Sequence, residues 1–288
     1  MSTSKYQAFL AAVELRNITK AADRLGYTQS GVSHLISALE AELGVTLLIR
    51  SKSGTVLTAE GEALLPYIRR VLEAEEDVRN KAIDLRGLTL GNLRIGTFSS
   101  VAIHWLPKIL SRFQALHSGV HISVLNGDYA HVENALLDNA IDCGFVTLPS
   151  REEFTAFSLM RDQLLAVVDC ANPLNRFPDL SPRDLAEQTF IVPAEGSNYS
   201  IGKLFADAGV APGNQLNIND DYAAVAMVRQ RLGVTILPEL MVQNLPMEGL
   251  RAIPLRGFER EIGIAIHRSR FLSPAIRAFL DCVQSTLS

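Results

Sequence analysis

The sequence predicts a multidomain chain: an N-terminal all-α winged helix-turn-helix, a long linker helix, and a C-terminal α/β domain of two Rossmann-like lobes. Three observations predict it. Between Gln29 and Leu43 the apolar residues recur at the 3, 4, 7 spacing of a half-buried helix, behind a shorter helical segment. Between Leu64 and Leu85 they recur alternately four and three apart over a length no compact unit needs. From Asn92 onward strand-like and helical runs alternate, and they do so twice over.

In chain order, Lys5–Leu15 reads as a first helix with Tyr6, Phe9, Leu10 and Val13 on one face. Thr19 offers an N-cap for a short helix carrying Ala21, Ala22 and Leu25 as its apolar side, and Gly26 ends it. Thr28 offers a second cap, for a helix buried through Val32, Leu35, Ile36, Leu39 and Leu43. The small Ala21 and Ala22 let two helices approach closely, as a helix-turn-helix requires. The opposite face of the second helix carries Ser30, His34 and Ser37, with Ser33 on its flank and Gln29 at its amino end. These are short hydrogen-bonding groups without a carboxylate, a set able to read base edges beside phosphate; an ordinary helical hairpin with a solvated serine face has the same periodicity. The next stretch, VTLLIRSKSGTVLT, alternates around Ser53-Gly54 and reads as a two-stranded wing with Arg50 and Lys52 at its tip, facing phosphate or the minor groove.

Thr58 caps a helix reaching to about Arg86, with Glu60 and Glu62 at its positive end. Its seam is Leu64, Ile68, Val71, Glu75, Val78, Ala82 and Leu85, widened by Leu65 and Leu72, with Pro66 as an expected kink. The seam predicts pairing with a second subunit, the competing reading being packing on its own chain. Gly87–Gly91 marks the boundary. Strands are expected at 93–98, 121–127 and 142–148, with helices from Ser99 and over Tyr129–Asn139 between them. A second set comes next: strands at 164–169, 190–193, 215–218 and 234–238, helices at Ser200–Ala208 and Tyr222–Leu232, a returning strand at 262–268, and a closing helix over Pro274–Thr286.

Composition bounds the class. A chain of 288 residues with 48% hydrophobic content supports two or three domains with substantial cores. The opening stretch lacks the pattern of a secretory signal and no apolar run reaches about 18 residues, so a cytoplasmic protein without a membrane span is expected. Cys143, Cys170 and Cys282 are too scattered for a disulfide framework or a metal pair, the six His form no metal motif, and no cofactor is expected. Net charge is −4, but residues 1–58 carry six Lys/Arg against four acids, leaving −6 on the remainder: a weakly basic head on an acidic body.

Phe9, Ala21-Ala22, Leu25, Gln29-Ser30, Val32-Ser33, Leu39-Glu40, Leu43-Gly44, Leu47, Arg50, Leu57-Thr58 and Gly61 stand in an order that resembles the N-terminal domain of LysR-type transcriptional regulators. Leu48 departs from the family's usual Phe, an apolar exchange at an expected core position. The resemblance extends over essentially the whole chain. It implies a winged helix-turn-helix at 1–58, a dimerising linker helix at 59–90, and an effector domain at 91–288 similar in fold to type 2 periplasmic binding proteins. Lobe I would be 91–161 and 267–288 and lobe II 162–266, with crossovers near Arg161-Asp162 and His267-Arg268.

The carboxyl ends of the expected strands then line a cleft. Lobe I would contribute Ser99, Ser100, Asn126 and Thr147; lobe II would contribute Ala194, Glu195, Gly196, Ser197, Asp220 and Thr235. In the family the equivalents of Ser99, Ser100 and Thr147 commonly face a small, often anionic, effector. Glu195 and Asp220, if turned inward, oppose a second anion or ask for an amine on the same molecule. Asp220-Asp221 equally fits a cap for the following helix, and Ser99 and Ser100 fit plain caps. The function implied is sequence-specific binding of double-stranded DNA by a homodimer or homotetramer under a small-molecule effector, without catalysis. The alternative is an α/β solute-binding protein or enzyme with an incidental helical head. Against it, there is no GxSxG, Walker or dinucleotide glycine motif.

Overall fold

The computed structural model describes residues 3–51, 54–85, 91–193, 204–206, 208–209, 213–218, 220–270 and 272–287, and the backbone alone of 50, 51, 73, 76, 77, 79–81, 83–85 and 193. The chain forms two compact units, Met1–Leu88 and Thr89–Ser288.

The first unit, the head, is α1 (Thr3–Leu15), α2 (Ile18–Leu25), α3 (Gln29–Leu43), an antiparallel pair β1 (Leu48–Ser51) and β2 (Gly54–Leu57), and α4 (Ala59–Leu85). Its core is Tyr6, Ala8, Phe9, Ala11, Ala12, Ile18, Ala21, Ala22, Val32, Ile36, Leu39, Leu47, Leu48 and Ile68. Ala8, Ala11 and Ala12, rather than the expected Leu10 and Val13, take the innermost places on α1, because alanines allow α2 and α3 to close on it. The cap of α2 also differs from expectation. Asn17, not Thr19, accepts from the Lys20 amide at 3.0 Å, so that Ile18 enters the core and Thr19 lies exposed one position inside the helix.

The wing is fixed at two glycines. Thr55 donates its amide to the Arg16 carbonyl at 3.0 Å, and a Cβ on Gly54 would stand 2.4 Å from that oxygen. A Cβ on Gly61 would stand 2.2 Å from the Leu47 carbonyl, so only glycine lets α4 start against the strand. Glu40 of α3 accepts from the amides of Leu47 and Leu48 at 2.8 and 3.2 Å, tying strand entry to the helix. The seam of α4 divides. Ile68 is buried in the head core, with Leu64, Leu65 and Leu72 packed on it, while Val71 and Val78 are 43% and 70% exposed. Packing on the chain's own head therefore accounts for the first turns of α4 only.

The second unit, the body, is built on a six-stranded sheet of order β4-β3-β5-β10-β6-β9. Its strands are β3 (Gly91–Thr97), β4 (Val120–Asn126), β5 (Cys143–Leu148), β6 (Phe154–Asp169), β9 (Thr235–Pro238) and β10 (Leu250–His267), and β7 (Phe190–Pro193) and β8 (Gln215–Ile218) form a parallel pair. A bridge from Phe190 to Val234 joins that pair to the β9 side. β3 runs parallel to β4 and β5, and β10 runs antiparallel to β5 and β6.

The helices are α5 (Ser99–His104), α6 (Leu106–Leu116), α7 (Tyr129–Leu137), α8 (Pro182–Leu185), α9 (Asp221–Arg229), α10 (Glu239–Val242) and α11 (Pro274–Leu287). One helix was expected where α5 and α6 stand. The chain breaks at Trp105 because Pro107, in the first turn of α6, has no amide to continue the ladder.

The two long strands β6 and β10 cross between lobes. Residues 261–265 of β10 pair with β5, so the chain re-enters lobe I at Glu261, six residues before the expected His267, which sits at the far end against Phe154. Arg161-Asp162, the expected first crossover, faces Glu261 and Arg260 across the ladder. Lobe I closes over Ile95, Phe113, Phe145, Phe279 and Val283, and lobe II over two clusters centred on Phe190 and Val225.

Candidate functional site

Two surfaces collect the expected site residues, one on each unit. On the head, α3 is held from beneath by Val32, Ile36 and Leu39, which fixes its rotation. Gln29, Ser30, His34 and Ser37 consequently lie exposed and Ser33 half-buried at their edge, on one continuous polar face. Thr28 caps the helix, its Oγ1 accepting from the Gly31 amide at 3.1 Å and lying 3.1 Å from the Ser30 hydroxyl. Of the head's cations, Lys5 is paired with Glu42 at 2.8 Å and Arg24 with Glu14 at 2.7 Å. The Lys5 ammonium holds the exposed Glu42 carboxyl below its usual range. Arg50 pairs through its backbone with Thr55, but its side chain and all of Lys52 lie outside the described residues. Tyr27, directly before the cap, is 47% exposed, and its amide closes the end of α2 on the Ala22 carbonyl at 3.0 Å.

On the body, the crossing of β6 and β10 carries a buried polar knot. Arg260 is 1% exposed. Its Nε and Nη2 donate to Asp162 Oδ2 at 2.8 and 2.6 Å, Nη2 also donates to Ser100 Oγ at 2.8 Å, and Nη1 donates to the Tyr129 hydroxyl. The remaining oxygen of Asp162 accepts from the Leu240 amide at 3.0 Å, at the start of α10. The guanidinium carbon sits 5.2 Å from the centre of the Phe98 ring and 5.9 Å from that of Tyr129, and those rings meet edge-on at 4.7 Å. The knot thus joins α5 and α7 of lobe I to both crossing strands and to a helix of lobe II. Leu240 reinforces it by burying its side chain in the lobe I core, while its neighbour Met241 packs in lobe II. Burial pushes the Tyr129 phenol above its ordinary pKa, against the pull of Arg260.

The expected cleft residues divide around this knot. Ser100 is part of it, with its hydroxyl accepting from Arg260 rather than capping; Phe98 holds the cap position of α5, and Ser99 is exposed. Asn126 ends β4, exposed and paired with Thr97. Thr147 lies near the carboxyl end of β5, 1% exposed, with a hydroxyl that has no hydrogen-bond partner. Asp220 caps α9, accepting from the Ala223 amide at 2.7 Å. Thr235 is corrected: it opens β9 against Val167, whereas the carboxyl end that abuts the crossing is Pro238, paired with Leu164. Its buried hydroxyl is likewise unpartnered but stands at the wrong end of the strand. Ala194, Glu195, Gly196 and Ser197 lie outside the described residues.

Arg260 and Asp162 were not singled out in the sequence, because both fall outside the strands expected there, Asp162 at the crossover, and nothing local pairs residues 98 positions apart. Asp221, also missed, is half-buried within electrostatic reach of Arg260 and Tyr129, and burial followed by the charge of Asp220 raises its carboxyl pKa. Among the described residues no His, Cys, Asp and Glu group is placed to hold a metal ion, and no helix is long and apolar enough to cross a membrane.

Comparison with known proteins bears on both surfaces. Residues 3–62 match the family model described as a bacterial regulatory helix-turn-helix protein of the lysR family, and residues 86–288 match the LysR substrate binding domain. The probable HTH-type transcriptional regulator LrrA of Synechococcus elongatus is 34% identical over 293 residues, covering 99% of this chain and 97% of that one. Among solved structures, a full-length OxyR variant from Pseudomonas aeruginosa superposes with a TM-score of 0.77 at 18% identity, covering 99% of this chain and 98% of the other. Full-length CbnR complexed with its target DNA superposes with a TM-score of 0.67 at 23% identity, covering 99% and 100%. These two likenesses show the fold.

Proposed function

The chain belongs to the LysR family of bacterial DNA-binding transcription regulators, and from that premise we propose how it works. Two copies pair along α4 and lay their α3 helices on double-stranded DNA as half-sites of an imperfect palindrome. A small molecule held between the lobes of the body changes how the copies are arranged, and so the spacing or bend of the DNA. The activity is binding, not catalysis, exercised in the cytoplasm by a homodimer that assembles further into a homotetramer.

The observation that carries the reading is the uncovered polar face of α3 on a helix whose other face is fully committed to the core. Gln29, Ser30, Ser33, His34 and Ser37 have the reach and chemistry for base edges, and Arg50 and Lys52 at the wing supply phosphate contacts. The exposed Val71 and Val78 of α4 supply an apolar stripe for a second copy. The relative solved with its target DNA supports the same use of the head here. The test is capture of fragmented genomic DNA by the purified protein, followed by sequencing. One or a few short sites with an imperfect palindrome are expected. Ser33→Ala and His34→Ala remove the site preference, and Arg50→Ala lowers affinity for every sequence. Recovery of nothing above background at low salt overturns the reading.

A further inference from the structure

We infer that the ligand held between the lobes carries a protonated nitrogen that docks on Asp221 and an oxygen acceptor that docks on the hydroxyls of Ser100 and Tyr129. This rests on the cleft reading above and names the class of molecule the cleft takes.

The cleft's buried guanidinium is already committed. Of the five N–H donors of Arg260, four are directed to Asp162, Ser100 and Tyr129, and its charge is matched by Asp162 at 2.6 Å. An incoming anion would find one N–H left and a charge already matched by Asp162. The carboxylates that act electrostatically on Arg260 or Tyr129 are Asp162 and Asp221, and Asp220 acts on Asp221; the neighbouring cation Arg161 is paired with Glu259 at 3.1 Å, so carboxylates are in surplus.

Asp162 is satisfied by Arg260 and the Leu240 amide, and Asp220 by its capping bond. Asp221 has no hydrogen-bond partner among the described residues. Burial and the neighbouring Asp220 charge disfavour its ionised form, and an ammonium beside it reverses that penalty.

The hydroxyls supply the complementary half. The oxygens of Ser100 and Tyr129 accept from Arg260, which leaves their hydrogens to donate. Thr147 pairs with Ile262, two residues along β10 from Arg260. The pleat therefore puts its unpartnered hydroxyl on the same sheet face as the knot. Asp221 acts electrostatically on Tyr129 and on Arg260, and Arg260 holds the Ser100 and Tyr129 hydroxyls; this set fits an amine-bearing small molecule with a carbonyl or carboxyl group, of which a free amino acid is the simplest form.

The test uses the full chain and two matched probe sets in calorimetric titration: the common L-amino acids, and their nitrogen-free 2-oxo and 2-hydroxy counterparts. Binding is expected from a member of the first set and not from its counterpart. Asp221→Asn, nearly isosteric, is expected to weaken it about tenfold or more, the loss of one charge-assisted hydrogen bond, with the melting temperature little changed. A nitrogen-free acid that binds as tightly as its amino counterpart, or an affinity untouched by Asp221→Asn, overturns the inference and leaves the cleft reading standing. If neither set binds, the inference falls. The cleft reading then falls with it only if a neutralised metabolite extract also fails to raise the melting temperature.

Discussion

The polar groups of α3 and those of the crossing strands are similar in kind and opposite in use. On α3 the side chains Gln29, His34 and Ser37 are exposed. At the crossing, Arg260, Asp162 and Ser100 are buried and bonded to one another. A polar group in water costs the fold nothing and stays available to a partner. A buried one must be satisfied internally, and then its first duty is to the structure. The comparison separates residues whose loss changes binding from residues whose loss changes stability, and each half can be broken on its own.

The largest effect belongs to the knot. Asp162→Ala leaves Arg260 charged and uncompensated and frees the Leu240 amide, at a cost of about 3–5 kcal/mol; urea denaturation of the body reads it. His34→Ala lies at the other pole. It is expected to cost roughly 1–3 kcal/mol of preference for the cognate site by anisotropy titration, with folding stability unchanged within about 0.5 kcal/mol. Thr28→Ala crosses the divide, because this cap both closes α3 and holds Ser30; about 1 kcal/mol of head stability is expected to go with it. The smallest effect is Thr147→Val, which removes a buried hydroxyl with no partner. Stability is expected to hold or rise slightly in a melting experiment, while ligand affinity falls.

Acidity sharpens the same contrast. The folded pKa of Asp221 lies above its unfolded value, so ionising it costs the fold, and that cost appears as pH rises through the interval between the two. Affinity for an amine ligand runs the other way. It is lost as pH falls through the raised pKa, above the range where an ordinary aspartate would titrate, and a titration series against pH measures it.

The head was largely legible. Thr28 and the apolar spacing gave α3 its observed ends, Gln29 and Leu43, and Gly44, left-handed at φ 72°, closes the helix there. At α2 two capping residues stand two apart, and the burial of Ile18, which periodicity over eight residues cannot weigh, selects Asn17. In the body, β6 was read only from Leu164, because residues 154–163 mix exposed and buried positions without a clean alternation. β10 was read only from Ile262, because Pro254 lies inside it where the pairing register shifts. The knot was illegible for a different reason. Arg260 and Asp162 are 98 positions apart, and only the antiparallel register of two strands brings them together.

β10 has one more consequence, in the order of synthesis. Lobe I is begun by β3 at residue 91 and completed by the second half of β10 and by α11, which supplies Phe279 and Val283 to its core. Everything in lobe II is translated in between. The head is a compact unit of residues 1–88, so a nascent chain can fold it long before its body can close. Until Ile262 and the residues after it leave the ribosome, β5 and the first half of β6 have a vacant place between them. The partner they wait for is the last strand of the chain. A premature stop in the last tenth of the gene thus yields a finished head on an unfinished body.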